Sequence, residues 1–249
     1  LDGRDGATLL KNADTAMYRA KELGKSNFQF YTAELNAKLT ERMALQNSLL
    51  QAMSNDEFFL EYQPQVDMAT RQVIGVETLI RWRNRDLGVV PPAQFISLAE
   101  ESGLIVALGL WVLRTACRQQ VAWQAAGLPA IKMSVNVSPR QFKDPSFSES
   151  VAAVLQETGI RPELLELEIT ESLIMEDVER AVATMHSIRD LGVQLSIDDF
   201  GTGYSSLSSL KNFPVSRLKI DKSFVSMLPG DANDCVLAKA VIALGHQLN

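Results

Sequence analysis

The sequence predicts an α/β protein organised as a (β/α)8 barrel, present through about six of its strands. Two observations predict it. From Glu57 onward, short β-rich runs alternate with helical runs, and a repeating strand-then-helix unit implies parallel strands with helical crossovers. Polar side chains then recur at the ends of those runs, where a parallel barrel assembles its functional face. Six strands fall short of the eight that closure requires. The expectation is therefore a segment cut from a longer protein. An open doubly wound sheet is the alternative reading, although the Gly-rich first turn of a dinucleotide fold is absent.

The elements follow in order. Gly6 to Leu23 reads as a helix, with Leu9, Leu10, Ala13, Ala16, Met17 and Ala20 on one face and Gly24 as its C-cap. Asn27 to Tyr31 reads as a short strand. Ala33 to Met53 is a second helical stretch carrying Leu35, Leu39, Leu45, Leu49 and Met53, a connector able to pair with itself. The strands are FFLEYQPQV, QVIGVETLIRW, AIKMSVNVS, LLELEIT, VQLSID and VSRLKID. Helices fit between them over Pro92–Glu101 with Leu108–Ala126, Ser148–Thr158, Met175–Leu191, Tyr204–Asn212 and Cys235–Leu248.

Composition narrows the chemistry. The 249 residues are 46% hydrophobic and 22% charged, ordinary for a protein with a large core. A net charge of −6 and the lack of a basic block argue against a polymeric nucleic acid as partner. A phosphorylated small molecule stays open, because a bound metal can reverse the local sign. Cys117 and Cys235 are the two cysteines; they lack metal or disulfide spacing and fit a reducing compartment. The longest apolar run, Gly103 to Leu113, is too short to cross a bilayer, and no signal peptide is visible. His186 and His246, the two histidines, both fall on polar helix patterns, so a Ser-His-Asp machine is not expected. Carboxylates, amides and lysine remain.

Those groups fall at strand ends. The second strand carries Glu77 and Arg81, the third Asn136, the fourth Glu168 then Glu171, the fifth Asp198 and Asp199, the sixth Lys219 and Asp221, and the first Gln63. Gathered at one face, they form an oxygen-rich ring suited to hard divalent cations such as Mg²⁺ or Mn²⁺. Read singly, each could merely cap a helix or a turn, and Glu166 shares the parity of Glu168.

The same residues carry a resemblance. ETLIRW (residues 77–82) resembles the signature of EAL domains, with Thr78 in place of alanine. YQP, FISLAEESGLI, SVNVSPRQF, LELEITES, IDDFGTGYSSL and LKIDKSFV follow in the family's order, over roughly Asn47 to the last residue. ADTAMYRAKELGKSNFQFY is similar to the closing helix and strand of a GGDEF domain, Lys21 matching a lysine that contacts nucleotide phosphate there. The resemblance implies residues 1–31 as a C-terminal GGDEF fragment, 32–46 as a helical linker, and 47–249 as an EAL domain incomplete at its C-terminus.

What the resemblance implies is a modified TIM barrel and a phosphodiesterase that opens cyclic di-GMP to linear pGpG with one or two Mg²⁺ or Mn²⁺ ions. Glu77, Asn136, Glu168 and Asp198 match metal ligands, and Asp199 a ligand of the second metal. Lys219 matches the lysine beside the attacking water, Gln63 and Arg81 the groups on the substrate backbone, and Glu171 the glutamate that steadies the loop after the fifth strand. That loop, DFGTGYSSL, with Gly201 and Gly203, is linked to dimerisation, so a homodimer through the EAL domain is expected. A cytoplasmic location is expected, with membrane attachment only through upstream segments of a parent protein. Thr78 is expected to have a modest effect. A further glutamate and a glutamine of the family's last two strands fall beyond Asn249, so the stretch alone is expected to be unstable or inactive. A catalytically inactive EAL-type receptor is the alternative, and an unrelated Mg²⁺-dependent barrel enzyme a remote third.

Overall fold

In the computed structural model, which describes residues 5–22, 26–201, 212–228 and 232–248, two helices lead the chain: α1 (Gly6–Glu22) and α2 (Ala33–Ala52). Residues 26–32 between them form no strand, which corrects the strand expected over Asn27–Tyr31. Phe28 and Phe30 pack edge-to-face on each other, largely in solvent. Alternating aromatics form a strand only where a neighbouring backbone takes their hydrogen bonds, and among the described residues no strand pairs with these. The apolar face of α1 leaves Leu9, Leu10 and Met17 exposed. Its expected cap, Gly24, lies outside the described residues.

The sheet comprises β1 (Phe58–Val66), β2 (Val73–Asn84), β3 (Gly88–Val90), β4 (Lys132–Asn136), β5 (Leu165–Thr170), β6 (Gln194–Phe200) and β7 (Arg217–Ile220). Its order is β1-β2-β4-β5-β6-β7, with β3 paired to β2. β2, β4, β5, β6 and β7 are parallel, as the repeat predicts. β1 is not: it runs antiparallel to β2, which corrects the all-parallel expectation. The cause is the connection. Residues 67–72 form a tight turn in which Asp67 accepts hydrogen bonds from Ala69 and Thr70, and so short a link can join only antiparallel strands. β3, absent from the sequence reading, is a short hairpin return after Asn84.

Helices α3 (Pro92–Ser102), α4 (Leu104–Ala125), α5 (Pro139–Phe142), α6 (Phe147–Thr158), α7 (Glu171–Glu176), α8 (Val178–Asp190) and α9 (Ala232–Leu248) complete the fold. Gly103, at φ 84°, ends α3 and lets α4 begin earlier than expected. The helix expected over Met175–Leu191 is two helices: Asp177 leaves the helical region at φ −153° and its side chain accepts from the Arg180 N–H, capping α8. The helix expected over Tyr204–Asn212 lies outside the described residues apart from Asn212.

Strand alternation divides the inside from the outside. Met133, Val135, Leu165, Leu167, Ile169, Leu195 and Ile197 face the helices and pack with Val112, Ala116, Val151, Val154, Met185 and Ile188. Each such fully buried side chain contributes about 1.5–3 kcal/mol. A second core joins Leu45, Leu49 and Ala52 of α2 to Phe58, Trp82, Phe95 and Leu98. The opposite strand faces are polar. Across that interior Arg217 of β7 donates to Gln65 of β1, and Lys219 of β7 reaches Glu77 of β2. Strands distant in the sheet order touch, so the sheet is curled as in a TIM-like barrel.

Among the described residues no helix is long and apolar enough to cross a membrane. Burial pushes the Cys117 thiol up to about 12, whereas Cys235 is half-buried. A disulfide reagent at pH 8 will therefore titrate one thiol in the folded protein and two in denaturant; modification of Cys117 in the native state would contradict this packing.

Candidate active site

Glu77, Asn136, Glu168, Asp198 and Lys219 come from β2, β4, β5, β6 and β7, all on the inward face, the last four near the carboxyl ends of their strands and Glu77 in the middle of β2. The Lys219 ammonium donates to Glu168 Oε2 at 2.6 Å, Asp198 Oδ2 at 2.8 Å and Glu77 Oε2 at 3.3 Å. Asn136 Nδ2 donates to Glu77 Oε1 at 2.9 Å. Oxygens of Glu77, Glu168 and Asp198 lie within 4.8 Å of one another.

Crowding and burial set the electrostatics. Glu168 is 1% exposed, and burial pushes its carboxyl up to about 7, with Lys219 pulling the other way. Burial alone would lower the Lys219 ammonium; Glu168 and Asp198 instead hold it well above the usual lysine range. With all three carboxylates ionised, one ammonium leaves a charge of −2. Glu168 Oε1 is buried without a hydrogen-bond partner. An all-oxygen donor set, a residual charge of −2 and an orphaned buried oxygen fit a divalent cation.

The other residues singled out from the sequence surround this cluster. Gln63 is exposed on β1, opposite Glu77 in register. The Arg81 guanidinium donates to Glu61 Oε2 at 2.7 Å, which holds it against β1 outside the cluster. Asp199 has φ 53°, and its N–H donates to Asp198 Oδ1 at 2.9 Å. Its carboxyl is raised by burial, then by Asp198 and by a hydrogen bond with Asp221. Glu171, 2% exposed, accepts the Gly201 N–H at 2.8 Å and so ties α7 to the turn behind Asp198 and Asp199. Gly203 lies outside the described residues. His186 and His246 are exposed on α8 and α9. Thr78 faces the helices, its hydroxyl donating to Met133 Sδ at 3.0 Å, on the opposite face of β2 from Glu77.

Gly201 has φ 101°, and a Cβ there would stand 3.0 Å from the Phe224 ring. Gly201→Ala will cost about 1–2 kcal/mol of stability, read by urea unfolding. A neutral result would show that the turn adjusts freely.

A second polar layer was not found from the sequence: Gln65, Ser134, Glu166 and Arg217, joined by hydrogen bonds. A signal existed. Ser134, Glu166 and Arg217 each lie two residues before Asn136, Glu168 and Lys219, and Gln65 lies two after Gln63 on the reversed strand.

A curled parallel sheet with acidic groups and a lysine at its carboxyl ends defines a TIM-like barrel protein with a metal-competent centre. The chain belongs to the EAL domain family, whose sequence model matches residues 46–249. It is 41% identical over 248 residues to the bifunctional diguanylate cyclase/cyclic di-GMP phosphodiesterase MucR of Pseudomonas aeruginosa, covering 100% of this chain and 36% of that protein. It is 38% identical over 247 residues to the cyclic di-GMP phosphodiesterase PdeR of Escherichia coli, covering 99% and 37%. The solved PaMucR phosphodiesterase in complex with c-di-GMP aligns with a TM-score of 0.80 at 42% identity over 83% of each chain. The chain thus spans about a third of the length of the curated relatives it matches.

Proposed function

We propose that this chain supplies the hydrolytic domain of a metal-dependent phosphodiesterase that converts cyclic di-GMP to linear pGpG. The observation that carries the proposal is the convergence of Glu77, Glu168 and Asp198 within 4.8 Å around Lys219. Glu77, Asn136, Glu168 and Asp198 would hold one Mg²⁺ or Mn²⁺, and Asp199 would serve a second. Such a cation supplies an acidified water and neutralises the nonbridging phosphate oxygens.

The chain's own residues do the rest. Lys219, the counter-ion of the acidic cluster, keeps its proton because its pKa is raised, and so stands as fixed positive charge beside the attacking water. Gln63, exposed at the rim, and Arg81, aimed by Glu61, hold the diester backbone. Glu171 fixes the Gly201 turn and thereby the positions of Asp198 and Asp199. Water exclusion is partial, since Asn136 and Asp199 stay exposed.

The wider assignment belongs to the same proposal. Residues 1–31 are the tail of a GGDEF domain, 32–46 a linker and 47–249 the EAL domain of a tandem protein that works in the cytoplasm as a homodimer. Helix α2 runs unbroken from Ala33 to Ala52, so linker and domain share one rigid rod.

The test is incubation of the full-length protein with cyclic di-GMP and Mg²⁺ or Mn²⁺, with chromatography for pGpG. Cation-dependent product supports the hydrolase. Tight binding without product would replace it with the receptor reading.

A further inference from the structure

Beneath the carboxylate cluster lies a closed polar ring drawn from four strands. Glu166 is fully buried, and its Oε1 accepts from Ser134 Oγ at 3.1 Å and from Arg217 Nη1 at 3.1 Å. Arg217 Nη1 also donates to Gln65 Oε1 at 3.0 Å, and Gln65 Nε2 donates to Ser134 Oγ at 3.4 Å. Gly75 makes the space: a Cβ there would lie 2.9 Å from Gln65 Oε1. Glu166 Oε2 is buried without a hydrogen bond, with Lys132 Nζ 3.9 Å away.

The ring repeats the ion pair above it. Glu166 precedes Glu168 by two residues and Arg217 precedes Lys219 by two, so one Glu–cation pair sits directly below the other. In the lower layer one carboxylate faces two cations, Arg217 and Lys132, whereas above it three ionised carboxylates face only Lys219. That division depends on where Arg217 is held. Without the Glu166 charge, its guanidinium is a half-buried cation with no counter-ion in its own layer. The orphaned Glu168 Oε1 is the unsatisfied acidic oxygen of the layer above.

We propose that Glu166 is a positioning residue for the metal centre: it confines Arg217 to the lower layer and so preserves the negative charge that a divalent cation needs above. The inference rests on the reading of Glu77, Glu168 and Asp198 as cation ligands. Glu166 itself touches neither cation nor substrate.

The test is Mn²⁺ binding by the full-length protein without substrate, followed by electron paramagnetic resonance. Glu166→Gln keeps the shape and both acceptor contacts but removes the charge; Mn²⁺ affinity falls about tenfold. The double change Glu166→Gln with Arg217→Gln returns the lower layer to its starting charge and restores affinity to within about twofold. A purely structural role would leave the double variant as weak as the single one, which overturns the proposal. Unchanged affinity in Glu166→Gln overturns it too. If Glu166→Gln does not fold, Lys132→Gln decides, because it removes a positive charge from a partly exposed position: tightening by about two- to threefold supports the proposal, and unchanged or weaker binding overturns it. Failure of the unsubstituted protein to bind Mn²⁺ overturns the metal reading, and this inference with it.

Discussion

Glu168→Gln will leave less than about 0.1% of cation-dependent cyclic di-GMP hydrolysis, a loss of about 4 kcal/mol of transition-state stabilisation. Glutamine matches glutamate in size and still accepts from Lys219, so the contacts at 2.6 Å can survive while the charge does not. What disappears is the most buried negative ligand and the orphaned Oε1 beside it. Stability moves the other way. The folded carboxyl sits at about 7, above its ordinary 4.5. Its contribution is therefore fully present below the ordinary value and is lost as pH rises through about 7. Glutamine carries no such dependence. In EDTA at pH 8 the variant will melt at or above the temperature of the unsubstituted protein. Substantial residual turnover would remove Glu168 from the centre; a much lower melting temperature would show that its charge stabilises the metal-free fold.

The second large effect is that of Lys219→Met. Three carboxylates whose oxygens lie within 4.8 Å then lose their shared cation. Removing one side of a buried ionic cluster costs about 3–5 kcal/mol. Because the lysine pKa is raised from its ordinary 10.5, the stabilisation is fully present below that value and lost only at still higher pH. Glu168, which Lys219 helps to ionise, titrates at about 7, so the deficit will grow as pH rises through that value. Added Mg²⁺ or Mn²⁺ will recover more stability in this variant than in the unsubstituted protein, since the ion replaces the missing charge. Hydrolysis will fall by about 10²–10³. Calorimetry with and without the ion, beside the pGpG assay, reads both effects; equal rescue in the two proteins would contradict the counter-ion role.

The upper layer was legible in the sequence because its chemistry is local. Asn136, Glu168, Asp198 and Lys219 stand at or near the ends of short β-rich runs and Glu77 in the middle of another, and the parallel topology needs only that these positions meet. What escaped is non-local or two-sided. β1 runs backwards because of the hydrogen bonds that Asp67 makes, yet FFLEYQPQV reads the same in either direction. The lower ring escaped because Gln65, Ser134, Glu166 and Arg217 are meaningful only once alternation is combined with pairing. Glu166 and Glu168 have equal parity; their partners, Arg217 and Lys219, separate them. The strand expected over Asn27–Tyr31 had the right residues and no neighbour. The side of β2 that Thr78 occupies follows only from the pairing, which sets its hydroxyl on the helix side against Met133.

The reversal of β1 has a mechanical corollary. Had β1 followed its neighbours, the helix feeding it would meet the barrel at its floor, a strand's length from the chemistry. Instead Phe58 stands beside Trp82, past Glu77 on β2, and α2 enters at the rim. Its last turns are gripped there by Trp82 and Phe95, while Glu57 is latched by the Trp82 indole N–H at 2.8 Å. Torque applied along that rod arrives at the mouth of the barrel, so the helix is geared to the end that carries the carboxylate cluster.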